Sequence, residues 1–270
     1  MTTPTPPASD LREWNAASYH EVANPHVDWG QAVLARLPLT GHETVIDAGC
    51  GTGRLTGLLL ARLPQGRVIA IDQSANMLDQ ARAHLEPRYA RQVEYLQRDL
   101  LALDRVEVAD VVFSTATFHW VRDHPALFQR LYTALRPGGW LIAQCGGGPN
   151  IATVANRALA ILRQEPFAPH VGAWDGPWHF AGAPDTVARL GSAGFAHPFA
   201  EVVHAPVVLD GAAAYREFLA TVVFGTHLQR LPSAELRDAF LDEMVRLGAT
   251  DDPPWLLDYW RLNLQGQRPA

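Results

Sequence analysis

Val45-Ile-Asp-Ala-Gly-Cys-Gly-Thr-Gly53 decides how this chain folds. An apolar run carries a single acid, Asp47, and breaks into three alternate glycines, Gly49, Gly51 and Gly53. A leucine-rich segment follows. The run Glu43–Ala48 reads as a short buried strand, and Leu55, Leu58 and Leu59 read as one face of a helix over Arg54–Leu63. The order is strand, bare turn, helix. Glycine at such a bend tolerates positive φ and lets a ligand approach the backbone closely.

The same alternation continues on the C-terminal side. Arg67–Asp72 is a second strand and Ser74–Leu85 a helix with Ser74 as its N-cap and Met77, Leu78 and Ala81 on one face. Val93–Gln97 and Ala109–Ser114 are further strands. Pro125–Leu135 is a helix stopped by Pro137-Gly-Gly139, and Trp140–Gln144 is a fifth strand. Strands that alternate with helices imply a parallel, doubly wound α/β sheet, with the ligand crevice at the carboxyl ends of the strands. On the N-terminal side, Asp10–Pro38 reads as helical, interrupted at Pro25.

Beyond Cys145 the texture changes. Helices are expected at Thr153–Gln164, Asp185–Ser192, Ala212–Val223 and Ser233–Leu247, and strands at Phe199–Leu209 and Tyr259–Leu264. The stretch Pro166–Pro184 is rich in Pro, Gly, Trp and His and reads as an insertion over the site. The chain is thus expected to form one domain over 1–270. Within it, 1–38 is a helical lid, 39–145 the cofactor half, and 146–184 and 210–258 insertions that build an acceptor pocket.

Composition narrows the function. The chain has 270 residues, 48% of them hydrophobic, and a net charge of −6 with both signs interspersed. No basic block offers itself to nucleic acid or anionic lipid. No apolar run is long enough to span a bilayer, and the first ten residues lack the plan of a signal peptide, so a cytoplasmic protein is expected. The two cysteines, Cys50 and Cys145, make no disulfide framework or metal motif. His170, Asp175 and His179 lack ligand spacing, so no metal is expected. All 22 basic residues are arginine. Without lysine there is no Schiff base and no phosphate-loop lysine.

The glycine spacing excludes a dinucleotide fingerprint: a third glycine is due at 54 or 56, where Arg54 and Thr56 stand. An acid just before the first glycine suits a ligand with an ammonium group, and the helix start suits a carboxylate. The aminoacyl end of S-adenosylmethionine carries both. Asp72, ending the second strand, is placed to accept both ribose hydroxyls. Gln73 and Met77 follow it into the same site. Asp99 is placed to accept from an adenine amino group, with Leu100 as apolar surface.

Asp47–Gly53, Asp72, Asp99 and Pro137–Gly139 together resemble the class I S-adenosylmethionine-dependent methyltransferases. Trp14-Asn15, Phe118–Val121 and Tyr259–Leu262 resemble the trans-aconitate methyltransferase group within them. The resemblance implies a seven-stranded, mostly parallel sheet whose last strand is antiparallel. It also implies a cofactor site lined by Gly49, Gly51, Asp72, Asp99 and Ser114, turning S-adenosylmethionine into S-adenosylhomocysteine.

Such a reaction needs alignment and exclusion of water more than it needs an acid or base. His119 is the candidate base if the acceptor is a hydroxyl, amine or carbon; its competing role is pocket wall. Tyr19 and His20 are placed to fold over the cofactor, where an aromatic face attracts the sulfonium. Trp14, Trp120, Trp174, Trp178 and His179 are the candidate acceptor pocket. Arg261 is a candidate partner for an acceptor carboxylate, with an ordinary ion pair as its competing role. The aromatic insertion favours a bulkier, less charged acceptor than a tricarboxylate. The expected partner is a small molecule acting on a monomer or homodimer. The rival readings are a protein of this fold that binds the cofactor without transferring methyl, and a nicotinamide-dependent oxidoreductase.

Overall fold

A computed structural model describes residues 24–270. The lid residues Trp14, Tyr19 and His20 lie outside the described residues, as does most of the expected lid. The first described helix, α1 (Asn24–Ala35), contains Pro25 in its opening turn. Proline there continues into a helix, because the first N–H groups have no partner inside the helix anyway.

From α1 the chain runs through β1 (Thr44–Ala48), α2 (Arg54–Ala61), β2 (Arg67–Asp72), α3 (Ala75–Tyr89), β3 (Val93–Gln97), β4 (Ala109–Thr115), α4 (His124–Ala134) and β5 (Leu135–Gly146). Seven strands form one sheet in the order β3-β2-β1-β4-β5-β9-β6. β6 is Ala196–His204 and β9 is Trp260–Gln267. β1, β2, β3, β4 and β5 pair in parallel, and β9 runs antiparallel between β5 and β6. The strand order reverses between β1 and β4, so the loops after these two strands part and leave a crevice.

Period-two alternation supplies both faces of the sheet. Val45, Val111 and Phe113 pack with Leu34 of α1, Leu59 of α2 and Leu78 of α3. Ile46, Val112 and Leu141 pack on the other face with Leu127 and Phe128 of α4 and Leu190 of α7 (Ala183–Ser192). A strand buried on both faces has to be apolar throughout, and β1 is, apart from Thr44 and Asp47.

A separate apolar cluster lies in the C-terminal insertions. It joins α5 (Ala152–Leu162), α6 (Ala168–Val171), α8 (Gly211–Phe218) and α10 (Ala234–Gly248), with Tyr215, Phe218, Phe224 and Phe240 at its centre. Burying each such side chain contributes about 1.5–3 kcal/mol, enough for a second core to hold the insertion against the sheet. A short helix, α9 (Gly225–Gln229), lies between α8 and α10.

Three sequence expectations change. α4 ends at Ala134, ahead of Pro137–Gly139 as expected, but those residues lie inside β5, where pairing shifts between Ala109 and Val111, so the turn is an irregularity within the strand. The expected strand Phe199–Leu209 divides at Ala205-Pro206. Proline has no N–H for the ladder, and Val207–Val208 (β7) pairs instead with Leu256–Leu257 (β8) in a small second sheet. The helix expected over Ala212–Val223 is α8 followed by a π turn at Leu219–Val223.

Candidate functional site

A cavity of about 350 Å³ opens at the carboxyl ends of β1, β2 and β4, beneath the insertions. Its wall on the sheet side is the glycine bend. Gly49, Gly51 and Gly53 have φ of 84°, 54° and 78°, all in the left-handed region. A Cβ on Gly49 would lie 2.1 Å from Thr117 Oγ1, so glycine there lets the loops after β1 and β4 touch. A Cβ on Gly51 would meet no protein atom within 4 Å and would stand in the cavity. That is the bare backbone a ligand needs.

The bend is pinned by β2. The N–H groups of Gly49 and Cys50 donate to the Ile71 carbonyl at 2.8 and 2.9 Å. The Gly51 N–H donates to Asp72 Oδ2 at 2.9 Å, and the Ser74 N–H to Asp72 Oδ1 at 2.9 Å. Asp72, Gln73 and Met77 all line the cavity. Asp99 and Leu100 line it from the end of β3; Asp99 Oδ1 accepts from the Leu101 N–H and caps a short 3-10 turn. Two non-glycine residues of the wall, Ala116 and Ile151, have φ of 54° and 47°. Strained backbone of this kind concentrates where a site fixes its shape.

Asp47 does not reach the cavity. Its side chain is 2% exposed, and its Oδ2 accepts from Thr56 Oγ1 at 2.7 Å. The expected direct contact with a ligand ammonium is therefore corrected: the strand buries the acid behind the bend. Burial raises its pKa to about 7, against the lowering effect of the Thr56 hydroxyl and with a further push from the Asp72 charge. Ser114 is also behind the wall, donating from Oγ to the Ala48 carbonyl at 2.6 Å as a tie between β4 and β1.

The far wall is aromatic. His119 and Trp120 lie on a 3-10 turn after β4 and meet the insertion residues Trp178 and Phe180. Ring centres are 5.8 Å apart for His119–Phe180, 6.0 Å for Trp120–Trp178 and 5.7 Å for the stacked Trp178–Phe180 pair. Trp174 also lines the cavity, with Arg230 over its ring at 4.1 Å. His179 is not part of the wall. Its N–H donates to the His119 carbonyl at 2.8 Å, which ties the insertion to the turn, while its Nε2 accepts from Arg189 at 3.3 Å. The placement of His179 in the acceptor pocket is corrected accordingly. His170, likewise, is not among the wall residues, and Asp175 pairs with Arg163 at 3.4 Å.

His119 Nδ1 accepts the Gly146 N–H at 3.2 Å. In the neutral ring the proton is then on Nε2, which makes His119 a donor. The general-base role expected of it conflicts with this geometry, because a base would need Nε2 bare and Nδ1 protonated against another N–H.

Several wall residues carried no sequence signal. Thr117, Asn150, Val222 and Thr226 belong here, as does Arg122, whose Nη2 donates to the Gly176 carbonyl at 2.7 Å. Arg261 and Tyr259 enter from the start of β9. The Arg261 side chain is 3% exposed, and its guanidinium lies over Trp29 at 4.5 Å. Its register partners are Gly146 on β5 and Val203 on β6.

Open backbone at Gly51, an acceptor-only carboxylate at Asp72 and a second carboxylate at Asp99 suit a nucleoside with ribose hydroxyls and an exocyclic amine, as S-adenosylmethionine has. Among the described residues no group of three or more His, Cys, Asp and Glu is placed to hold a metal ion. Nor is any described helix long and apolar enough to cross a membrane.

Comparison with known proteins points the same way. The family described as a methyltransferase domain matches residues 45–139. A trans-aconitate 2-methyltransferase of Deinococcus radiodurans is 32% identical over 85% of this chain and 87% of its own length. Another, from Azoarcus sp., is 40% identical over 48% of this chain, and the match spans half of that relative's length. Among solved structures, the Haemonchus contortus phosphoethanolamine N-methyltransferase 2 bound to S-adenosylhomocysteine shares the fold. Its TM-score is 0.62 at 18% identity, over 97% of this chain and 59% of that one.

Proposed function

The chain belongs to the class I S-adenosylmethionine-dependent methyltransferases, and we propose that it methylates a carboxylate of a small organic acid. The observation that carries the acceptor class is Arg261, a cation buried in the cavity wall beside Trp29, Tyr259 and Gln144. A guanidinium offers a planar fork that matches a carboxylate. Relatives that cover most of this chain are named for a carboxylate substrate, which supports the same class.

S-adenosylmethionine supplies a methyl carbon bonded to a cationic sulfur that leaves as a neutral thioether. A carboxylate oxygen arrives already charged and needs no proton removed, so the chain's residues have only to bind, orient and exclude water. Asp72 and Asp99 hold the nucleoside, and the backbone around Gly51 receives its aminoacyl end. The aromatic wall closes over the acceptor body, and His119 Nε2–H donates to an acceptor oxygen. Arg261 acts chiefly on acceptor affinity, because the acceptor's negative charge is greatest before reaction. In this reading 39–145 is the cofactor half, and 146–184 with 210–258 forms the acceptor pocket. We further read the setting as cytoplasmic and the partner as a small molecule, consistent with two buried free thiols and a net charge of −6.

The test is a calorimetric titration with S-adenosylhomocysteine. It is followed by incubation with methyl-labelled S-adenosylmethionine and trans-aconitate, succinate, benzoate, cinnamate or octanoate. Base-labile labelled ester from at least one acid is expected, with Arg261→Leu raising KM for it. Cofactor binding without ester from any acid would favour the reading without transfer to a carboxylate.

A further inference from the structure

The acceptor half of the cavity meets an irregular stretch of helix. The chain leaves α8 through the π turn Leu219–Val223, where the Phe224 N–H donates to the Leu219 carbonyl at 2.7 Å, and then enters α9. A turn of this kind is rare and concentrates at functional sites. Here Val222 and Val223 of the turn and Thr226 of α9 form part of the cavity wall. Val222, Val223 and Phe224 belong to the second apolar core, against which Trp174, Trp178 and Phe180 pack.

Thr226 brings a hydroxyl into this apolar setting. The residue is 8% exposed, and its Oγ1 is buried with no hydrogen-bond partner among the described residues. Other polar side chains of the wall are engaged by the backbone. Thr117 Oγ1 donates to the Thr115 carbonyl at 2.9 Å, Asn150 Oδ1 accepts the Trp260 N–H at 2.9 Å, and Arg122 Nη2 donates to the Gly176 carbonyl at 2.7 Å. A buried hydroxyl left unpaired destabilises the fold, and valine would fill the same space without that cost. Threonine in a helix divides between two χ1 rotamers, so one rotation exchanges the hydroxyl with the methyl group and can turn the oxygen toward the cavity.

We propose that Thr226 recognises a hydroxyl or keto oxygen of the acceptor. The acceptor is then an organic acid whose apolar body, held by the aromatic wall, bears a further oxygen substituent. This rests on the carboxylate reading given above. A threonine hydroxyl both donates and accepts, so it can pair with either substituent. An apolar wall discriminates weakly against a missing hydroxyl, whereas a buried polar group that would be left unpaired discriminates strongly.

The experiment uses the full chain loaded with S-adenosylhomocysteine. Calorimetry measures the affinities of benzoate, cinnamate and octanoate and of their ring- or ω-hydroxylated counterparts, and urea denaturation measures stability. At least one hydroxylated acid should bind wild-type protein about tenfold more tightly than its parent, the scale of one hydrogen bond to a buried group. Thr226→Val should bring that pair within about twofold, spare S-adenosylhomocysteine binding and be at least as stable as wild type. Thr226→Ser should keep the preference, and Thr226→Ala serves for the affinities if the valine variant does not fold. A wild-type chain that binds acids without preferring any hydroxylated one overturns the role of Thr226 and leaves the carboxylate reading standing. So does a preference that survives Thr226→Val. Equal weakening of parent and hydroxylated acid overturns it in favour of a steric role, and a clear loss of stability in Thr226→Val overturns it in favour of a partner within the chain. If the chain binds trans-aconitate or succinate but no hydroxylated acid, this inference fails alone. If it binds no acid at all, the carboxylate reading fails and this inference fails with it.

Discussion

The Asp72 carboxylate and the Gly51 amide are joined at the mouth of the cavity, Gly51 N–H donating to Asp72 Oδ2 at 2.9 Å. One side chain thereby fixes the cradle and presents acceptor oxygens at the end of β2. Asp72→Asn replaces one acceptor oxygen with a donor that faces an N–H, either from Gly51 or from Ser74. Hydrogen bonds to a charged group contribute about 1.5–3 kcal/mol each, so S-adenosylhomocysteine affinity should fall roughly 10- to 100-fold. Isothermal calorimetry measures this, and unchanged affinity would remove Asp72 from the site.

The glycines of the bend should separate by mutation. Gly49→Ala drives a methyl group to 2.1 Å from Thr117 Oγ1 at φ 84°, so the loops after β1 and β4 must part. A loss of folding stability above about 2 kcal/mol is expected, combining strain and overlap. Adding Thr117→Ala should restore only part of it, since Thr117 Cβ is itself 2.7 Å away. Gly51→Ala meets no protein atom within 4 Å. It should cost only the roughly 1–2 kcal/mol of its left-handed φ yet block the ligand. Urea denaturation and S-adenosylhomocysteine titration of the three variants decide it; equal effects at the two glycines would contradict the geometry.

The central strands were legible because they are largely apolar runs between turn residues, as Arg67–Asp72 is at β2; Val93–Gln97, at the sheet edge, mixes Val, Tyr and Leu with Glu and Gln and coincides with β3 all the same. The cofactor side of the cavity was legible through residue type at a strand end, as with Asp72. Burial direction was not. Asp47 and Asp72 both sit near strand ends in the sequence, but Asp47 lies two residues before its glycine, on a central strand covered on both faces. The acceptor side depends on pairing between segments far apart in sequence. Arg261 lies under the Trp29 ring of α1, distant in sequence, and Ile151 and Thr226 reach the wall through insertions whose helices pack on each other. No local pattern encodes those contacts. The helix α9 escaped for the same reason: five residues are too few to show a period.

Asp47 gives stability a pH dependence of unusual sign for an acid. Burial raises its pKa from the ordinary 3.8 to about 7. The folded chain therefore holds a proton between pH 4 and 7 that the unfolded chain has released. Stability is fully present below the unfolded value and is lost as pH rises through the folded one, by up to about 4 kcal/mol. Asp47→Asn keeps an oxygen for Thr56 and removes the ionisation. It should flatten this slope and stabilise the protein at pH 8 by a few kcal/mol. Urea denaturation from pH 5 to 8 measures both, and identical slopes in the two proteins would refute the assignment.

His119 decides whether proton transfer belongs to the chemistry. Its Nδ1 accepts the Gly146 N–H, so its Nε2 donates. With a carboxylate acceptor, kcat/KM should then show no rise with pH that tracks deprotonation of an imidazole. His119→Gln, whose amide NH₂ can stand near the Nε2 position, should keep activity within about tenfold, whereas loss of a true general base costs about 10²–10⁴-fold. His119→Ala should fall further than Gln but spare S-adenosylhomocysteine binding, since the ring lies tilted against Trp120 and Phe180 on the aromatic wall. The opposite result would be an alkaline rise in wild-type kcat/KM that His119→Gln abolishes. That would require the bare Nε2 tautomer during turnover and an acceptor that has a proton to lose. It would move the acceptor class from a carboxylate to a hydroxyl, amine or carbon acid.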